Sequence, residues 1–209
     1  MPQKRECLVT PSLFLVNMNQ SGNNQDYPQK LIFKRTHNAS VLLNFSCGIS
    51  SMDNFIHTEL QDYLNMGNCE MYVVYLNYMI VGMFCLDNGT VVFSDNAKNN
   101  MIGGIKPKPD TASKDKDDYY WWKSSYEAKE ITYLAISLNF QHQHIGLYII
   151  ESIIDKISKD KTFNGDYIVV RALNEENYSA IPFYKKCGFA PAMEEKENQN
   201  LFMYRLKKR

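Results

Sequence analysis

"EITYLAISLNFQHQHIGLYII", residues 130–150, decides the reading of the chain. Its first eight residues are apolar on both faces, the pattern of a central strand with no water-facing side. From Ile145 the pattern changes: Ile145, Ile149, Ile153 and Ile157 form one stripe, flanked by Ile150 and Ile154, while Glu151, Asp155 and Lys156 fall on the water side. A helix beginning there presents N–H groups without partners and the positive end of its dipole, a setting that suits an anion. In the turn between strand and helix, two positions where glycine would be easiest hold His142 and His144.

Upstream of this unit, "LIFKR" (31–35) predicts a strand. "SSMDNFIHTELQDYL" (50–64) predicts a helix, with Ser50 and Asp53 spaced as a capping box and Ile56, Leu60 and Leu64 on one face. "MYVVYL" and "MIVGMFCL" predict a hairpin joined by Asn77 and Tyr78. "DNG" (87–89) predicts a further turn before "TVVFS", so that the region reads as an antiparallel meander. Residues 97–127 change composition to a long connection containing "KPKPDTASKDKDD", whose charges alternate in sign, and the aromatic run Tyr119, Tyr120, Trp121 and Trp122. Downstream, "YIVVRAL" (167–173) predicts a strand, residues 177–187 a short helix ended by Gly188, and "LFMYRLKK" a closing strand. Pro182 fits only the first turn of that helix, where its missing N–H breaks no bond.

At 209 residues the chain is long enough for one sizeable core. The organisation expected is an N-terminal extension, 1–30, followed by a single domain over 31–209. Lys4 and Arg5 precede the apolar run "CLVTPSLFLV", but Glu6 and Pro11 interrupt it and no small-residue cleavage site follows, so a folded N-terminus is expected. With 23 basic and 23 acidic residues the net charge is zero, so no global field draws in nucleic acid or an anionic membrane. Five scattered cysteines without a C-x-x-C pair suggest neither a disulfide framework nor a metal site, and they fit a reducing cytoplasm. Cys47 and Cys187 read most simply as small buried hydrophobes.

Gln141 and Gly146 stand where the GNAT superfamily of acyl-CoA-dependent N-acyltransferases carries the ends of its Q/R-x-x-G-x-G/A motif; His144 departs from the middle glycine. "NYSAIPFYKKCGF" resembles the same family's N-x-x-A-x-x-x-Y…G-F segment, through Asn177, Ala180, Tyr184, Gly188 and Phe189. "FSCGISSMDNFIHTE" and "YVVYLNYMIVGMFCL" are similar to segments of a GNAT branch containing bacterial toxins that acetylate the amino group of charged transfer RNA.

The resemblance implies an α/β fold with a mixed, largely antiparallel central sheet, splayed central strands and helices on both faces. It implies acetyl-CoA as acyl donor. The backbone of Leu134, Ala135 and Ile136 would bind the pantetheine arm and thioester carbonyl. N–H groups of His142, Gln143, His144, Ile145, Gly146 and Leu147 would hold the pyrophosphate, with Gln141 and Asn177 also on the cofactor. Transfer to an amine requires the amine neutral, the developing oxyanion stabilised and a proton for the departing thiolate.

Tyr184 is the candidate proton donor by its place in the motif; alone it would read as a core aromatic. Glu130 resembles the base of the histone-acetyltransferase branch, reached through water, and its other reading is a solvated strand-edge charge. The expected reaction is acetyl transfer to a primary amine by direct attack in a ternary complex. The acceptor is a small-molecule or peptide amine; aminoacyl-tRNA is the alternative of the toxin-like half, and zero net charge argues against it. A GNAT-fold binding protein whose turnover is lost through His142 and His144 is the other alternative. No membrane partner and no metal are expected, and a homodimer stays open.

Overall fold

The computed structural model describes residues 13–18, 29–67, 69–94 and 125–207. These fall into two compact units: the described residues up to Cys85 together with Tyr133–Gly146, and those of Leu86–Thr132 together with Leu147 onward.

In the first unit, β1 (Leu13–Met18) pairs antiparallel with β2 (Gln29–Thr36), from Leu13 opposite Lys34 to Met18 opposite Gln29. The stretch read as an extension therefore supplies a strand. β2 pairs antiparallel with β3 (Cys69–Leu76), and the hydrogen-bonded order runs on to β4 (Met79–Val91). The β3–β4 turn is the expected one: Asn77 and Tyr78 have φ of 47° and 68°, the left-handed pair that a two-residue hairpin of the right twist needs.

The helical segment 50–64 forms two helices, α1 (Ser50–Thr58) and α2 (Leu60–Asn65), which meet at Glu59. Their apolar face packs Ile56, Leu60 and Leu64 against Met71, Val73, Met83 and Ala135, while Phe55 stacks on Tyr133 at 4.1 Å. The capping box does not form. Ile49 is the N-cap, and Asp53 turns back to the preceding loop.

In the second unit β4 runs straight through Asp87–Gly89, where the sequence predicts a turn. Gly89 is not left-handed; it is a close-approach glycine, since a Cβ there would lie 3.1 Å from Glu130 Oε2 and 3.2 Å from Glu130 Cβ. The order here is β4, β5 (Tyr126–Ile136), β6 (Tyr167–Ala172), β10 (Leu201–Leu206), β9 (Ala190–Pro191). β5 starts at Tyr126, inside the connection read as 97–127, and the rest of that connection, with its Tyr119–Trp122 run, lies outside the described residues. β5 and β6 are parallel, and β10 is antiparallel to both β6 and β9, which makes the sheet mixed and mostly antiparallel.

Between β5 and β6 runs α3 (Ile145–Lys159). All six of its stripe isoleucines are buried, worth about 1.5–3 kcal/mol for each side chain within reach of water in the unfolded chain. Glu151, read as facing water, pairs with Arg205 at 3.3 Å. On the second unit's aromatic side Phe93, Tyr126, Tyr167 and Tyr204 form a ring cluster over Val91, Ala128 and Val169. After β6 the chain makes a small hairpin, β7 (Asn174–Glu175) and β8 (Tyr178–Ser179), before α4 (Ile181–Lys186). The helix predicted from 177 therefore begins at Ile181. The cause is Pro182, which occupies its first turn, and the Ala180 N–H bond to Leu173 O that closes the hairpin.

Candidate active site

The parallel ladder between β5 and β6 joins Ala128–Ile131 to Tyr167–Val170 and ends there, although β5 continues to Ile136. Leu134, Ala135 and Ile136 therefore extend past the stretch that is paired with β6. Ala135 is buried in the first unit's core, whereas Leu134 and Ile136 are half-buried.

The strand passes into a short 3-10 turn, Leu138–Phe140, and then into Gln141–His144. Ser137 N–H donates to Val81 O at 2.9 Å and Leu138 N–H to Ser46 O at 2.9 Å, which ties the turn down on two sides. The Gln141 side-chain amide nitrogen donates to Cys47 O at 2.7 Å and Ile136 O at 3.0 Å, and Gln143 Nε2 donates to Asn139 O at 3.0 Å. Gln141 thus spends its donors on the protein, fixing the loop against the strand end.

His142 and His144 have φ of 59° and 61°. Position 144 therefore has a left-handed backbone, which a glycine would adopt without strain and which a histidine adopts here. Both imidazoles are exposed. Gly146 has no positive φ, and Ile145 is buried beneath the first turn of α3, whose leading N–H groups have no i−4 carbonyl inside the helix. Leu147, in the second unit, is partly exposed in that same turn. A consecutive run of N–H groups with alternating left-handed residues and a helix dipole behind it is a setting that fits a pyrophosphate.

In the second unit, Tyr184 lies on α4 and is buried. Its motif now has a physical meaning. Phe189 N–H donates to Tyr184 O at 3.0 Å and Gly188 N–H to Lys185 O at 3.0 Å, with Gly188 at φ 80° and the Phe189 ring edge-on to Tyr184 at 5.6 Å. That is a Schellman cap with its hydrophobic contact, so "Y-K-K-C-G-F" fixes the tyrosine by ending its helix. The cap is reinforced by Arg205, whose Nη1 donates to Cys187 O. Burial, then Tyr178 and Cys187, raise the Tyr184 hydroxyl far above the usual phenol range, so it holds its proton throughout the neutral range.

Asn177 is exposed at the tip of the β7–β8 hairpin, not on the helix. Glu130, paired opposite Val169, is half-buried across Gly89. Desolvation raises its carboxyl above the ordinary value; Arg171 pulls the other way and Asp87 adds to the rise. Arg171 also lines a cavity of about 650 Å³ with Val92, Asn174, Met193, Asn198 and Phe202. A neighbouring groove of about 460 Å³ is walled by Glu175, Glu176, Glu195, Lys196 and Glu197 beside Asn177, with Glu195 paired to Lys185 at 3.0 Å.

Burial pushes the Cys47 and Cys187 thiols up to about 11, as expected of inert core cysteines. Among the described residues no group of three or more His, Cys, Asp or Glu side chains is placed to hold a metal ion, and no helix is long and apolar enough to cross a membrane. Sequence reasoning missed Asp53 and the Ser46–Gly48 turn as parts of the loop's support, and Arg205 as the cap of the tyrosine helix. The "C-G" pair followed by an aspartate was the available signal for the first.

Among solved structures the chain is similar to AtaTR bound with AcCoA, at 20% identity over 85% of this chain and 94% of that one with a TM-score of 0.59. It is similar to AtaT complexed with acetyl-methionyl-tRNAfMet, at 20% identity over 83% and 94% with a TM-score of 0.57. It is also similar to a tyrosine-to-phenylalanine mutant of KacT, at 15% identity over 85% and 95% with a TM-score of 0.60. The likeness establishes the α/β fold, which is the GNAT fold. No protein-family model matches the chain, and no curated protein matches it.

Proposed function

We propose that the chain is an N-acetyltransferase that moves the acetyl group of acetyl-CoA onto a primary amine in a ternary complex. The observation that carries this reading is the end of β5, Leu134–Ile136, which runs on beyond the ladder with β6 and is followed directly by a left-handed loop and the N-terminus of α3. The similar AtaTR structure is described as bound with AcCoA, which supports the choice of donor.

In this reading the thioester supplies an activated acyl carbon. The backbone of Leu134–Ile136 aligns the donor arm, and the N–H groups of His142–Leu147 hold its pyrophosphate. Glu130, with its carboxyl raised by burial, takes the proton from the amine through water as the N–C bond forms. Tyr184, protonated at neutral pH, gives its proton to sulfur as the C–S bond breaks. The left-handed backbone retained at His144 favours a working loop over a GNAT-fold binding protein that has lost turnover.

For the acceptor, the groove beside Asn177, where Glu175, Glu176 and Glu197 outnumber Lys196 and Glu195 is paired with Lys185, keeps an excess of negative charge that attracts a cationic amine and repels a phosphodiester backbone, which supports a small-molecule or peptide amine. A second reading, acetylation of aminoacyl-tRNA, is supported by the similar AtaT structure complexed with acetyl-methionyl-tRNAfMet. Another similar AtaT structure is described as bound to the C-terminus of its antitoxin, so an antitoxin partner belongs to that second reading. Thiol release from acetyl-CoA, followed with a panel of polyamines, lysine peptides and charged tRNAs, decides between them. Turnover with amines alone fits the first reading, turnover with charged tRNA alone fits the second, and none with any acceptor refutes both.

A further inference from the structure

We propose that Asp53 is a positioning residue for the acetyl-CoA loop, acting through the Ser46–Gly48 turn and the side chain of Gln141. The inference rests on the reading of that loop as the donor site.

Asp53 sits in the first turn of α1, at the spacing of a capping residue, yet its carboxylate caps nothing in its own helix. Oδ2 accepts from Ser46 Oγ at 2.6 Å and from Gly48 N–H at 3.2 Å, and Oδ1 accepts from Cys47 N–H at 2.8 Å. One carboxylate therefore collects three donors from three consecutive residues. Ser46 and Gly48 are exposed and Cys47 is buried, so the charge-assisted bonds to Asp53 hold the turn rather than its burial. Gly48 completes it at φ 77°, with the Leu138 side chain 3.0 Å from where a Cβ would stand.

The far side of the same turn faces the loop. Cys47, whose N–H is bound by Asp53, offers its carbonyl to Gln141 Nε2, and Ser46 offers its carbonyl to Leu138 N–H. Gln141 Nε2 also bonds Ile136 O, so a single amide joins the end of β5, the 46–48 turn and the start of the loop. Two left-handed histidines follow at once. Such residues persist only where the surroundings over-determine them, and the described bonds that do so run through Gln141 and Gln143. The carboxylate thus acts at a distance on the direction in which the loop's N–H groups point.

The test combines acetyl-CoA titration with amide hydrogen exchange on the wild type, Asp53→Asn, Gln141→Leu and the double variant. Asparagine keeps the size of the side chain and cannot accept from three donors. Both single variants are expected to bind acetyl-CoA about tenfold more weakly, the worth of roughly one hydrogen bond lost from the support of the loop. The double variant is expected to lose little more than either single one, because both break the same chain of contacts. In the unliganded protein Asp53→Asn is expected to speed exchange at residues 141–147 while α2 and β3 keep their protection. The inference is overturned if Asp53→Asn leaves exchange at 141–147 unchanged, if exchange rises evenly through the first unit, or if the two losses of affinity add in full. If the wild type binds no acetyl-CoA, the proposed function fails, and the exchange data alone still decide whether Asp53 governs the loop.

Discussion

Replacing His144 with glycine separates the backbone of the loop from its side chain. At φ 61° an L-residue carries a left-handed strain of about 1–2 kcal/mol, which glycine does not. Glycine in turn costs about 0.4–1 kcal/mol through the greater freedom of the unfolded chain. The imidazole is exposed, so its loss removes little burial. The balance is a stabilisation of about 0.5–1 kcal/mol, a rise in melting temperature of roughly 1–4 °C for a chain of this size. Urea unfolding of the wild type and His144→Gly reads this as a higher midpoint with an unchanged slope. A variant less stable than the wild type by 1 kcal/mol or so would refute the reasoning, because the imidazole would then be making contacts that outweigh the strain.

Gly188→Ala is expected to destabilise by about 1–2 kcal/mol, since φ is 80° and a Cβ would stand 3.3 Å from Arg205 Nη1; thermal melting checks it, and no change would mean that the cap tolerates a side chain. Tyr184→Phe is expected to keep acetyl-CoA binding and lose about 100-fold or more in turnover, read by thiol release. For Glu130 the folded carboxyl is raised, so the native state binds protons more readily than the unfolded one and the wild type loses stability as pH rises through the ordinary glutamate value to the raised one. Glu130→Gln should therefore match the wild type in acid and exceed it at neutral pH in urea unfolding, and a constant difference would contradict this. For Asp53 the carboxyl is lowered by its bonds to Ser46, Cys47 and Gly48 against the opposing, largest cause, desolvation. The stability it gives is present above the ordinary aspartate value and is lost as pH falls through the lowered one, a limb that Asp53→Asn should flatten.

The β5–loop–α3 unit was legible because one stripe of isoleucines and one doubly apolar strand admit few other arrangements. Tyr184 was legible as a motif position, but its reason, the Schellman cap, depends on φ at Gly188, which sequence spacing does not fix. "DNG" misled because the same glycine that suits a turn also suits a strand facing a bulky Glu130. Asp53 misled for a similar reason: a carboxylate three residues after a serine serves equally as a capping box or as an anchor for the preceding loop, and only the placement of Ser46–Gly48 chooses. The short helix is shorter than its sequence suggests because Asn177–Ser179 has no local signal that separates a hairpin from a first turn.

Titration of acetyl-CoA into the wild-type protein, with dephosphorylated pantetheine thioester as the comparison, tests the central claim most directly. Saturable binding of acetyl-CoA that weakens markedly when the pyrophosphate is absent is the predicted result. Absence of binding, or equal binding of both compounds, would contradict the assignment of residues 142–147 as a pyrophosphate loop.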